Sequence, residues 1–276
     1  MFRNIRILNP FRLRRPGLGW KPNPVDRRDW NFETLGLPAA NKKTVSLRHL
    51  VSQVLNQKNT SSCVAHAVAG AIDVLETKAG LPYVPPSRLF LYFNARRYHS
   101  KSVTDSGTYI RTCIKGLLKA GVPDEKYWPF STSKSKINRR PGWDPYMKAF
   151  ARRNGEYYAI KSSGSARIAS IKAALSDGYP VAFGAPVAKS FLSSSGPHVV
   201  DKPSSEDTIV GGHAMLIVGY KEDAGRVLFE VLNSWGTRYR DDGYVWLTED
   251  YIKWRRTNDL TIIKGWQRLR NARRAA

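Results

Sequence analysis

Gln57, Cys63, His213 and Asn233 have the types and surroundings that thiol chemistry needs. They occur in that order within the segments Asn56-Gln57-Lys58-Asn59-Thr60-Ser61-Ser62-Cys63-Val64-Ala65-His66-Ala67, Gly211-Gly212-His213-Ala214-Met215 and Val231-Leu232-Asn233-Ser234-Trp235-Gly236. Acyl transfer requires a nucleophile, a base, a group that orients the base and a donor to the oxyanion. Cys63 stands where a loop meets a helical pattern, and a helix N-terminus lowers a thiol pKa by stabilising the thiolate. Its own backbone N–H can donate to an oxyanion. The Gln57 amide, one loop upstream, is the expected second donor. Removing one such donor raises a barrier by about 2.7–4 kcal/mol. His213 opens an apolar strand and can take the thiol proton. Asn233 ends the next strand, so its amide oxygen can accept the other imidazole N–H and hold the ring. Trp235 can cover that bond and exclude water.

These residues need a scaffold with two walls. Residues 63–79 read as a helix whose small residues Ala65, Ala67, Ala69, Gly70 and Ala71 permit close packing. Ser87 is the expected cap of a second helix running through Arg97. Asp105-Ser106-Gly107 precedes a third over 108–119, ended by Gly121 and Pro123. Residues 131–142 read as a surface loop. Beyond them lie strands at 157–160 and 181–184, a helix over 166–177, and a Ser-rich loop over 190–208. Three β-rich runs follow at 213–220, 227–233 and 243–247. A helical half followed by a strand half predicts an α+β fold of two lobes with a cleft between them. The expected division is a basic extended arm (1–45), a helical lobe (46–150), a β-rich lobe carrying His213 and Asn233 (151–250) and a basic tail (251–276).

The motifs resemble those of the papain-like cysteine peptidases, peptidase family C1. The Gln-x5-Cys spacing, Gly-His-Ala and Asn-Ser-Trp-Gly carry the likeness, which covers roughly residues 44–250. Softer matches are Gly19 to Asp29, Ser87-Arg88-Leu89-Phe90-Leu91-Tyr92 and Tyr127-Trp128-Pro129-Phe130. The resemblance implies a helical lobe, an antiparallel β-barrel-like lobe and an active-site cleft between them. It implies Cys63 as nucleophile, His213 as general base and later acid, Asn233 as orienter and Gln57 as oxyanion donor. Gly107, Gly212 and Trp235 are the implied substrate-binding residues, although a turn before a helix explains Gly107 equally well. His213 follows Cys63 by 150 residues and Asn233 by 170, which implies an insertion between the lobes. Val64 stands where an aromatic residue is usual, and Ser61-Ser62 replaces a Cys-Gly-Ser type segment. With 62 residues before the nucleophile, the usual long pro-region is not expected, and neither is a disulfide. The likeness is therefore to bacterial and phage-type members. The 1–45 arm is expected to occlude part of the cleft.

Composition limits the alternatives. A chain of 276 residues with 42% apolar content can bury a sizeable core. No apolar run is long enough to span a membrane, and the N-terminus shows no secretory signal pattern, so a cytoplasmic or virion-associated protein is expected. The net charge of +23 is concentrated at the ends: residues 1–30 hold eight Lys/Arg against two Asp, and 252–276 hold eight against one. Such ends attract polyanions, nucleic acid or an acidic protein. Three functions therefore stay open: a peptidase acting on peptide or protein substrates, a basic assembly protein on a retained peptidase fold, and an acyl or amide transferase. No cofactor is expected. His66 forms Cys-x-x-His with Cys63, but no second ligand pair of metal spacing accompanies it, so no metal is expected either. Cys113 lies in a helical apolar pattern and reads as a structural cysteine.

Overall fold

The computed structural model describes residues 16–268. The outermost parts of the predicted arm and tail, with much of their charge, lie outside the described residues. After a short strand β1 (Thr44–Ser46), helices α1 (Cys63–Lys78), α2 (Arg88–His99), α3 (Ile110–Ala120), α4 (Lys134–Asn138) and α5 (Trp143–Ala149) follow. Then come β2 (Asn154–Ala159), α6 (Gly164–Ser176), β3 (Val181–Ala188), β4 (Val199–Val200), β5 (Ile209–Asp223), β6 (Arg226–Leu232), β7 (Tyr244–Thr248), α7 (Glu249–Lys253) and β8 (Asn258–Gln267).

Helix α1 forms the junction of the two halves. Almost every side chain from Cys63 to Glu76 is buried, as its small residues require. A side chain at Gly70 would press on Leu216 and Leu232, so this glycine sets how closely α1 approaches β5 and β6. Helix α2 starts where Ser87 accepts the Phe90 N–H at 3.2 Å, the expected cap. Helix α3 buries Ile110, Cys113, Ile114 and Leu117, one face at helical spacing. Glu76 of α1 is buried against Arg152, with bonds of 2.9 and 2.7 Å, and accepts the Trp266 indole N–H at 3.2 Å, which ties the helices to β8.

The sheet runs β2-β8-β3-β5-β6-β7-β4, with β1 also paired to β5. Strand β3 is buried along its whole length, as a central strand covered on both faces must be. Three expectations are corrected. The sheet is open rather than barrel-like, and β4 pairs with β7 in parallel. Residues 251–267 are not tail: they complete α7 and form β8, whose Leu260, Ile262 and Ile263 are buried. The apolar run between flanking basic residues is what binds them to the sheet. Residues 134–138, expected as loop, form α4 around the buried Ile137.

Candidate active site

Cys63 is the first residue of α1 and is fully buried. The backbone N–H groups of Ala214, Gly19, Val64 and Cys63 itself lie at its sulfur and favour the thiolate. Burial outweighs them and pushes the thiol up to about 11. The expected lowering by the helix terminus is thus reversed in this closed arrangement, because water is excluded.

β5 and β6 bring His213 to Asn233, which directly follows β6. The imidazole Nε2 and the Asn233 Oδ1 are 2.8 Å apart. The His213 Nδ1 is buried and has no hydrogen-bond partner among the described residues. Trp235 lies stacked on the imidazole, with centroids 4.7 Å apart and planes 28° apart. Burial lowers the His213 pKa to about 4, although the bond to Asn233 opposes this.

Gln57 is fixed from the opposite wall. The Ser234 hydroxyl donates to its Oε1 at 2.6 Å. Its Nε2 donates to the carbonyls of Thr60 at 2.7 Å and Gly17 at 2.8 Å. Ser234 also donates its backbone N–H to the Asn233 Oδ1 at 2.7 Å. The sequence reading assigned Ser234 no role, though it sits inside the Asn-Ser-Trp-Gly motif.

Gly17 belongs to an extended segment that crosses the site, a strap over residues 16–24. The Gly17 N–H donates to Lys58 O at 3.2 Å and the Trp20 N–H to Gly212 O at 3.1 Å. Thr108 grips the strap from the other wall: its N–H donates to Gly19 O at 2.8 Å and its carbonyl accepts from Lys21 at 3.0 Å. Gly107 has φ +79°, and a side chain there would overlap the Gly19 backbone. Of the residues expected to bind substrate, Gly107 and Gly212 therefore face the strap from opposite walls, whereas Trp235 covers the imidazole. His66 is buried against Phe130, with centroids 5.2 Å apart and perpendicular rings. Among the described residues no cluster of His, Cys, Asp or Glu has metal-binding geometry, and both cysteines are free thiols.

The thiol, the imidazole–amide pair, two potential oxyanion donors and the strap thus converge on one cleft. A model of the papain family cysteine proteases matches residues 41–261. An uncharacterized peptidase C1-like protein of Acanthamoeba polyphaga mimivirus is 34% identical over 218 residues, spanning 76% of this chain and 68% of that one. The crystal structure of xylellain, a cysteine protease from Xylella fastidiosa, superimposes with TM-score 0.82 at 32% identity, covering 92% of this chain and 97% of that one. Digestive procathepsin L 3 of Tenebrio molitor shares the fold at TM-score 0.63 and 17% identity, over 91% of this chain and 76% of that one.

Proposed function

Since this chain belongs to the papain family of cysteine peptidases, we propose that it hydrolyses peptide bonds through a thioester on Cys63, with His213 and Asn233 completing the catalytic group. The observation that carries the reading is the 2.8 Å contact between His213 Nε2 and Asn233 Oδ1, which leaves Nδ1 without another partner among the described residues. In this reading Nδ1 takes the Cys63 proton and the sulfur attacks the substrate carbonyl carbon. The oxyanion is held by the Cys63 N–H and the Gln57 Nε2. The C–N bond breaks as His213 returns the proton to the leaving amine. His213 then deprotonates a water, which attacks the thioester and releases the acid, and the thiol is restored.

The strap is the closed form of the same site. Gly17 O holds the Gln57 donor, and the Gly19 N–H lies at the thiol. In this reading the strap occupies the place of a substrate, and turnover requires it to lift. The test is hydrolysis of a fluorogenic peptide mixture by the full chain before and after iodoacetamide labelling at pH 6, with the labelled sites mapped by mass. Hydrolysis should disappear in step with Cys63 modification and be lost in His213→Ala. Undiminished hydrolysis by fully Cys63-labelled protein would overturn the reading.

A further inference from the structure

We propose that α5 docks this protein on the surface of an anionic lipid bilayer, with Trp143, Met147 and Phe150 entering the interface and the cations around them meeting the headgroups. Helix α5 has two opposite stripes. Pro145 and Ala149 are buried at i and i+4, the side that faces the core. Trp143, Met147 and Phe150 recur at i, i+4 and i+7, about 200° around the axis at roughly 100° per residue. They are 78%, 48% and 47% exposed. Single exposed apolar residues are ordinary, but three aligned on one outward stripe mark a contact surface. The helix beneath them is anchored. Tyr146 packs on Phe90 with centroids 4.8 Å apart and donates to Asn94 Oδ1 at 2.8 Å. Gly121 lies so close to the Ala149 carbonyl that a side chain there would overlap it. The stripe is therefore held out into solvent by a fixed element.

The charge around α5 is of one sign. Between residues 126 and 153 the sequence holds eight Lys/Arg against one acid, Asp144. Arg152 is engaged inside the fold with Glu76 and Asp124. Arg139, Arg140, Lys148 and Arg153 are exposed, and none of the four forms an ion pair among the described residues. Arg153 lies over the Phe150 ring, 4.6 Å from its centroid. Burial raises the Tyr146 pKa, and the charges of Arg140 and Arg97 oppose it, which places both cations beside α5. An apolar stripe among cations matches a bilayer surface, which offers acyl chains to the stripe and negative headgroups to the rim. Tryptophan settles at that boundary. A second copy docked on the same face would set the two groups of cations against each other. A nucleic acid would meet the cations but offers Met147 no apolar phase to enter. At seven residues α5 can lie on a bilayer and cannot cross it.

The test is partitioning of the full chain onto phosphatidylcholine vesicles with and without phosphatidylserine, read by sedimentation. The basic ends of the chain are the same in every variant, so their contribution is common to all. Trp143→Ser combined with Phe150→Ser should weaken binding to the anionic vesicles about tenfold. Arg139→Gln combined with Arg140→Gln should weaken it about 25-fold, at about fivefold per cation, and should matter little on phosphatidylcholine alone. Trp143→Phe should bind like the wild type, yet lose most of the fluorescence quenching that brominated acyl chains produce in the wild type. Urea midpoints near wild type show that each variant is folded. No vesicle binding, equal binding by Trp143→Ser/Phe150→Ser and wild type, or quenching that survives Trp143→Phe overturns the proposal. So does a loss of self-association or of RNA binding, instead of vesicle binding, in Trp143→Ser/Phe150→Ser, which would make the stripe a contact for a second copy or for nucleic acid.

Discussion

The chain holds two cysteines, both in helices and both fully out of water, in very different surroundings. Cys113 sits within α3, where burial alone acts and pushes its thiol far above the ordinary range. Cys63 sits at the end of α1, where burial acts against four backbone N–H groups. Burial outweighs those donors and holds its thiol uncharged. Lifting the strap removes the Gly19 donor but restores solvent, and the donors of α1 and β5 remain. Burial alone leaves a thiol without partners; burial among donors leaves one whose charged form the surroundings already favour.

The largest effect expected from this contrast is on turnover. Cys63→Ala should lower peptide hydrolysis by on the order of 10^6-fold, the scale for loss of a nucleophile, whereas Cys113→Ala should leave it near wild type. Steady-state kinetics of both variants check this, and comparable losses would erase the distinction. A smaller effect separates the two by stability. Burial alone surrounds Cys113, so Cys113→Ser, which buries a hydroxyl away from water, should destabilise by about 1–3 kcal/mol. Cys63→Ser places its oxygen among N–H donors and should change stability little. Urea unfolding midpoints of the pair measure the difference.

The smallest effect concerns pH. Burial lowers His213 to about 4 and His66 to about 3, against 6.5 for an unburied imidazole. Both flank the Cys63 site, His66 one turn along α1. The unfolded chain therefore binds more protons than the folded one as pH falls below about 6.5. Stability should fall through that window and flatten below about 3, with these groups contributing no slope above neutrality. Urea midpoints between pH 7 and pH 4 should drop, less steeply in His213→Gln; a midpoint that rises on acidification would contradict the assignment of both rings as buried and neutral.

Much of the cleft was legible because each role in acyl transfer admits few residue types. Gln57, Cys63, His213 and Asn233 all lie at the cleft, on the elements their neighbours suggested. Helices α1, α2 and α3 were readable from small residues, the Ser87 cap and apolar spacing. The strap was foreseen only as an arm, since it binds mainly through backbone groups, which any sequence supplies; a side chain at Gly17 or Gly19 would overlap the backbone of Thr60 or Ser61. Strand β8 was hidden because flanking basic residues mask the buried Leu260 and Ile262. Ser234 went unassigned because its role depends on contact with a residue 177 positions away in the chain.

Ser234 also has a mechanical consequence. Its hydroxyl holds Gln57, and its N–H holds Asn233. The backbone reinforces this, since the Gln57 N–H donates to Ser234 O at 2.8 Å and the Gly236 N–H to Leu55 O at 3.0 Å. The loop that precedes the nucleophile is thereby stitched to the chain that follows β6. Changing the spacing between Gln57 and Asn233 would require breaking these bonds. The spacing between these two polar groups is thus set by the stitch itself rather than by the strap that crosses the site.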